Sequence, residues 1–287
     1  MIRSLPRSPA YNRAFTLFIT LYFFFLFAPL LVTCVLAFNN SDFPALPWYG
    51  FTLDWFLAAG PERVGIFQDT DNLRAIRVSF QTALWVSLLS VTVGVCAAFL
   101  FEQENFIGKE LLYYLMLAPL VIPGVILGIS ILLGANTVGS YFDEVWGWDF
   151  DLFRPSFWLV VFGQFSFITT FVTLVVSARL RTFDRSLEEA ALNLGAPRLE
   201  VIRLITLPFL RSAVIGAGAV AFLMSFENFN TTLFLVGSQP TLPINLYLQV
   251  RDGSTPVINA VSLLLILGSA VLAVNTLYFD RRREGKG

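Results

Sequence analysis

The chain has 287 residues, of which 56% are hydrophobic and 14% are charged, and 30 of them are phenylalanine. A soluble domain cannot keep so much apolar surface out of water, so the composition predicts a membrane protein. The formal net charge of −1 gives no basic field for a nucleic-acid partner. The absence of histidine removes the commonest metal ligand and the usual general base at neutral pH, so we expect no metal site.

Six segments are long and apolar enough to be membrane-spanning helices, because a helix needs about 20 apolar residues to cross the hydrocarbon core. They cover residues 14–38, 78–101, 111–133, 156–178, 209–236 and 257–279. The first is too long for the apolar region of a signal peptide and lacks a small-residue cleavage site. The pattern predicts an all-α membrane protein with a single transmembrane domain over residues 1–287. Its core is expected at about 74–280, with the first helix and outer loop, 14–73, more peripheral.

Lysine and arginine are distributed unevenly between the two sides of this domain. Six crossings place both termini and the loops 102–110 and 179–211 on the same side. That side carries most of the 19 basic residues, namely Arg3, Arg7, Arg13, Lys109, Arg179, Arg181, Arg185, Arg198, Arg203, Arg211, Arg281, Arg282, Arg283 and Lys286. The opposite side carries Arg63, Arg74, Arg77, Arg154 and Arg251. Because basic loops stay in the cytoplasm, both termini are predicted to be cytoplasmic in a multi-pass protein of the bacterial inner membrane.

The two long outer loops, 39–77 and 134–155, are rich in aromatic residues. They contain Trp48, Tyr49, Trp55, Trp146 and Trp148. Such rings are typical of the aromatic belt at a membrane interface. They are also compatible with a docking surface for an extracytoplasmic partner, and the sequence leaves both interpretations open.

The long cytoplasmic loop, 179–211, has the pattern of two short helices separated by a turn. At the start of the first helix, Ser186 and Glu189 have the spacing of a capping box, and Asp184 is an alternative cap. Gly195 is expected to end this helix in a left-handed conformation, and Pro197 prevents its continuation. Between cap and stop, one apolar stripe at helical spacing is formed by Leu187, Ala190, Ala191 and Leu194.

A second short helix is predicted over residues 198–206, with Pro208 closing it before the fifth span. Helices this short are not stable alone in water, so the apolar stripe of the first must pack on another surface. One possibility is the transmembrane bundle of the same chain. The other is a cleft on a separate cytoplasmic protein.

The same loop carries a family signature. The run Glu189-Ala190-Ala191, followed by Gly195, Ile205 and Leu207-Pro208, resembles the EAA motif of ABC-importer permeases and lies between the fourth and fifth predicted helices. The resemblance implies that the first short helix is a coupling helix that docks on an ATPase subunit. The residues that it places at this contact are Leu187, Glu188, Glu189, Ala190, Ala191, Leu194 and Gly195.

Most of the chain resembles the second permease subunit of spermidine/putrescine transporters. The similar segments are 22–39, 118–123, 128–130 and 242–260. The resemblance implies a heterodimer with a partner permease, two cytoplasmic ATPase subunits that bind ATP, and an extracytoplasmic solute-binding protein. It implies no cofactor in this chain, which also lacks the Gly-x-x-x-x-Gly-Lys-[Ser/Thr] run of a phosphate-binding loop.

Glu227 is the only charged residue in the interior of a predicted span, since Arg211 lies at the cytoplasmic end of the same segment. A carboxylate there costs several kcal/mol, about 2.5–3.5 on insertion scales, unless it faces the bundle interior or a water-filled cavity. Its neighbours Asn228, Asn230 and Thr231 are polar too, which fits either a cluster that fixes helix packing or a solute path. Polyamine permeases tend to have two adjacent acids where this chain has Glu227-Asn228. The resemblance implies a polyamine-like cation, and this departure leaves an amino acid derivative or an aminophosphonate as the alternative.

An intramembrane enzyme and an ion channel are the rival functions. The predicted spans contain no paired carboxylates and no serine or cysteine beside a plausible base. No segment resembles the filter loop or the ring of charge of a channel. The sequence therefore predicts a transport subunit that works by alternating access and is not an enzyme.

Overall fold

The computed structural model describes residues 9–60, 63–148, 150–253 and 256–284, and the regular elements of these ranges are helices. In chain order they are α1 (Pro9–Leu36), α2 (Asp54–Leu57), α3 (Thr70–Gln103), α4 (Lys109–Val121), α5 (Gly124–Trp146), α6 (Phe157–Leu180), α7 (Ser186–Asn193), α8 (Arg198–Val201), α9 (Leu207–Phe226), α10 (Thr232–Leu235), α11 (Leu242–Gly253) and α12 (Val257–Glu284). A 3₁₀ turn covers Asp151–Phe153, and a π-helical segment covers Ile202–Thr206. Of the basic residues used for the orientation, Arg3, Arg7 and Lys286 lie outside the described residues.

Five helices of the described ranges are long and apolar enough to cross a membrane. They are Pro9–Leu36, Thr70–Gln103, Gly124–Trp146, Phe157–Leu180 and the continuous helical stretch Arg198–Phe226, and α12 adds a shorter apolar portion, Val257–Gly268. The predicted all-helical membrane architecture is confirmed. The number of six spans stays a prediction.

The chain divides into two compact units. One comprises the residues up to Thr70 and those from Leu248 onward, where α1 and α2 each contact α12. The other is Asp71–Tyr247, and its core is built around α6, which packs along α9. Ile168, Val172 and Val176 of α6 are fully buried in this core. Gly94 of α3 permits the close approach of that helix, because a Cβ there would lie 2.8 Å from the side chain of Val172.

The third predicted span, 111–133, is not one helix, and this prediction is wrong. The chain leaves helical geometry at Ile122, with φ −71° and ψ 130°, and starts again as α5 after Pro123. Proline pushes the preceding residue into extended backbone and cannot donate the helical hydrogen bond. α5 then runs on to Trp146, well beyond the predicted end, and stops where Gly147 is left-handed.

The fifth predicted span, 209–236, is also wrong at both ends. Pro208 does not separate two helices, since the chain from Arg198 reaches Phe226 without a break through the π-helical segment. The π-helical segment comes directly before the first turn of α9, where Pro208 is tolerated because the N–H of that position needs no partner within the α-helix. At the other end the helix stops at Phe226, so Glu227 is its C-cap and not an interior residue.

Candidate functional site

The first short helix predicted in the loop 179–211 exists and corresponds to α7. Its cap is Asp184, whose carboxylate accepts a hydrogen bond from the backbone N–H of Ser186 at 3.0 Å. The predicted capping box is wrong, because Ser186 already lies inside the helix and only the alternative cap is used. Hydrogen bonds from Ser186 hold the pKa of Asp184 below its ordinary value. Gly195 follows the helix with φ +89°, the left-handed conformation expected of it.

The apolar stripe of α7 is open on the surface of this chain. Leu187 is 52% exposed and Leu194 is 89% exposed. Ala190 is exposed as well, while Ala191 is half-buried. A stripe that packed on the bundle of its own chain would be covered. Of the two possibilities left open by the sequence, the exposure favours the separate partner.

The two glutamates of α7 have different surroundings. Glu189 is exposed, whereas Glu188 is half-buried. The Glu188 carboxylate accepts hydrogen bonds from the hydroxyl of Thr206 and, at 3.4 Å, from the side-chain amide of Gln103. Glu188 therefore faces the chain itself, in a cleft of 240 Å³ between the loop and the end of α3.

Basic residues of the loop contact the acidic end of α3. Arg181 forms an ion pair with Glu102 at 2.8 Å, and this hydrogen-bonded partner raises the pKa of Arg181. Arg185 donates a hydrogen bond to the backbone carbonyl of Glu102 at 2.7 Å. Arg198 forms an ion pair with Glu104. The two arginines of these ion pairs are more than half exposed, so each pair contributes at most about 1 kcal/mol to stability.

The predicted solute-path residues lie on one turn between α9 and α10, but they differ in exposure. Glu227 and Asn230 are exposed, Asn228 is half-buried and Thr231 is buried. Asn228 caps α10, because its side-chain oxygen accepts hydrogen bonds from the backbone N–H of Thr232 at 3.3 Å and from its hydroxyl at 2.9 Å. Asn228 is thus engaged in packing, while Glu227 and Asn230 remain accessible.

A buried amide of α6 holds this turn in place, and the sequence reasoning missed it. Gln164 is fully buried; its carbonyl accepts a hydrogen bond from Ser225 at the end of α9, and its NH₂ donates to Thr232 at 2.8 Å. The network runs on from Thr232 to Asn228. The sequence did contain a signal for it, because a lone glutamine inside an apolar span needs a hydrogen-bond partner or a function.

Helix α5 packs tightly against the same turn. A Cβ on Gly128 would lie 2.7 Å from the carbonyl oxygen of Thr231, and a Cβ on Gly124 would lie 3.0 Å from the Cβ of Asn230. Only glycine allows this approach. The first turns of α5 and the chain between α9 and α10 therefore form one closely packed region beside Glu227.

Neither α7 nor the turn that carries Glu227 resembles a metal centre. Among residues 9–60, 63–148, 150–253 and 256–284, no group of three or more histidine, cysteine, aspartate or glutamate side chains is arranged to hold a metal ion. The polar groups near Glu227 are instead hydroxyls and amides, which suit hydrogen bonding to an organic solute.

Comparison with known proteins identifies the family. The model of the family described as binding-protein-dependent transport system inner membrane component matches residues 90–284. The chain belongs to this permease family. The permease is 31% identical over 264 residues to the putrescine transport system permease protein PotI of Escherichia coli K12, covering 91% of this chain and 89% of the relative. It is 26% identical over 273 residues to the spermidine/putrescine transport system permease protein PotC of Shigella flexneri, covering 94% and 95%.

A solved structure shares the fold of the permease. It is a bacterial ABC transporter involved in the import of the acidic polysaccharide alginate, with a TM-score of 0.75 and 18% sequence identity over 95% of this chain and 96% of that one. The family resemblance inferred from the loop signature is confirmed. The chain is a multi-pass inner-membrane permease subunit of an ABC importer, and its relatives are transport proteins and not enzymes.

Proposed function

We propose that this subunit forms, with a partner permease, the path of a small organic cation of the polyamine class. Two separate ATPase subunits bind ATP in the cytoplasm, and α7 is the coupling helix that docks on one of them. Both termini are cytoplasmic, so the turn at Glu227 lies toward the outer half of the membrane. A solute-binding protein delivers the cation from outside, and rocking of the two permeases passes it inward.

The coupling role is supported by the exposed stripe of α7. Leu187 and Leu194 present apolar surface, and the carboxylate of Glu189 on the same short helix is exposed as well. Helix-in-groove contacts use such a stripe, with apolar side chains for affinity and a charge at the edge for register. The left-handed turn at Gly195 ends the helix directly after Leu194, which leaves this leucine at the C-terminal end of α7.

The position of Glu227 carries the substrate proposal. It caps the C-terminus of α9, where the last carbonyl groups have no helical partners and give this end partial negative charge. The carboxylate adds a full negative charge at the same place and is exposed. Two negative features that coincide favour a cationic solute over an anionic one. The putrescine and spermidine permeases among the relatives agree with this chemistry.

The alternative solute, an amino acid derivative or an aminophosphonate, rests on Asn228. This amide stands beside Glu227, and its oxygen is occupied by Thr232. The site therefore offers one carboxylate, which matches a single ammonium group better than it matches a triamine.

Uptake by the reconstituted complex tests the proposal. Glu227→Gln removes the charge with little change of shape, and losing a charged hydrogen bond of about 1.5–3 kcal/mol implies a rise of the KM for putrescine of roughly 10- to 100-fold. Ser238→Ala, at an exposed position beyond α10, is the control and should leave the KM unchanged. Unchanged putrescine uptake by Glu227→Gln would assign the residue to packing, and transport of an aminophosphonate but not putrescine would favour the alternative.

A further inference from the structure

The two adjacent glutamates of α7 point to different tasks. Successive residues of an α-helix project about 100° apart, so the two glutamates can both line the cleft and still have different neighbours. Glu189 is exposed, whereas Glu188 is half-buried and hydrogen-bonded within its own chain. A carboxylate that only served the partner surface would have no reason to bind two side chains of its own subunit.

The partners of Glu188 lie at the cytoplasmic ends of two long helices. Gln103 is the last residue of α3. Thr206 is fully buried and is the last residue of the π-helical segment, immediately before α9. One carboxylate therefore joins α7 to α3 and to the helix that ends at Glu227.

The π-helical segment makes this connection mechanically relevant. Its five residues, Ile202–Thr206, interrupt the α-helical hydrogen-bond register between α8 and α9. Such segments are rare and occur often at functional sites. A pull on Thr206 is therefore applied where the long helix changes its register, and the helix beyond it leads to the turn that carries Glu227.

The ion pairs around the loop are less suited than the Glu188–Thr206 hydrogen bond to transmit movement of α7. Arg181 is 63% exposed and Arg198 is 67% exposed, so water and salt weaken their pairs with α3. Thr206 is buried and Glu188 is half-buried, so their hydrogen bond is less open to water than the two ion pairs.

We propose that Glu188 is a positioning residue that transmits movement of α7 to α3 and α9, while Glu189 serves the docking surface. The inference rests on the proposed function, in which α7 docks on an ATPase subunit. Loss of the Glu188 carboxylate leaves the docking stripe in place but loosens its connection to the helices that move the solute. ATP hydrolysis then continues with less transport.

Matched variants of the complete complex test this division of labour. Glu188→Ala and Thr206→Val each keep the ATPase subunits during co-purification but lower putrescine uptake per ATP by about fivefold, the effect of losing one ordinary hydrogen bond. The double variant is no worse than Glu188→Ala alone, because Thr206→Val removes a contact that Glu188→Ala already lacks. Glu188→Gln retains an acceptor oxygen and keeps most of the ratio. Glu189→Ala, the matched control, instead weakens ATPase co-purification.

Two outcomes of these experiments would overturn the proposal. Loss of the ATPase subunits from Glu188→Ala would make it a docking residue, and additive defects with Thr206→Val would show that the two side chains act separately. Tryptic digestion of the isolated subunit in lipid nanodiscs is a second test of whether Glu188 anchors α7. Glu188→Ala and Thr206→Val speed cleavage at Arg185 and Arg198, and Glu189→Ala does not. This digestion needs no solute, so failure of the unmutated complex to transport putrescine refutes the proposed substrate alone, and unchanged digestion refutes the anchoring role.

Discussion

Gly128 lies where α5 approaches the chain between α9 and α10 most closely, and replacing it with alanine tests that contact. The added Cβ would lie 2.7 Å from the carbonyl oxygen of Thr231, against an ordinary contact distance of 3.4 Å or more. The two segments must separate by roughly 0.7 Å, and overpacking of this kind costs about 1–3 kcal/mol. Because a backbone atom is hit, no side-chain rotation can relieve the clash.

Gly134 provides the matched control on the same helix. A Cβ there meets no heavy atom within 4 Å, and alanine improves helix propensity by up to about 1 kcal/mol. Thermal unfolding in detergent, followed by circular dichroism, should give Gly128→Ala a lower midpoint than the unmutated chain and Gly134→Ala an equal or higher one. Putrescine uptake should fall only for Gly128→Ala. Equal midpoints for the two variants would refute the close packing of α5 on this turn.

Three further predictions concern the other polar contacts. Gln164→Leu leaves Ser225 unpaired and removes two interhelical hydrogen bonds, which at about 0.6 kcal/mol each implies a loss of roughly 1 kcal/mol in thermal unfolding, and Gln164→Glu should not restore it. Gly195→Ala, at φ +89°, costs about 1–2 kcal/mol of backbone strain, whereas Gly195→Asn costs less; hydrogen exchange of α7 should rank them in that order. The pKa of Asp184 is lowered in the folded loop, so its capping contribution is present above the ordinary value of 3.8 and is lost as pH falls through the folded pKa. The protection factors of the α7 amides, which correct for the intrinsic pH dependence of exchange, should then fall at acid pH in the unmutated chain, stay low at every pH in Asp184→Ala, and show no pH step in Asp184→Asn.

The long helices were predictable because their signal is local. The predicted span 78–101 lies within α3, and the predicted span 156–178 matches α6 to within two residues at each end, because both helices follow from uninterrupted apolar runs. The ends of the fifth span were not predictable in the same way. Hydropathy does not register that Asn228 caps a new helix, and that cap is stabilised by Gln164, which lies 68 residues from Thr232 in the chain.

The candidate site shows the same limit. The stripe of α7, its stop at Gly195 and the accessible carboxylate at Glu227 could be inferred from spacing and residue type. The different surroundings of Glu188 and Glu189 could not, because the partners Thr206 and Gln103 lie 18 and 85 residues away in sequence. Only the folded chain distinguishes one glutamate from the next.

The exposed stripe of α7 also has a consequence for how long the subunit survives before assembly. Leu194 is 89% exposed and Leu187 is 52% exposed, so a newly inserted chain presents apolar surface that favours association with other proteins. In the proposed function an ATPase covers Leu187 and Leu194, so a subunit without that partner displays the kind of apolar patch that chaperones and quality-control proteases bind. The contact proposed to drive transport would therefore also signal that assembly is complete, and cells that lack the ATPase should clear this permease faster.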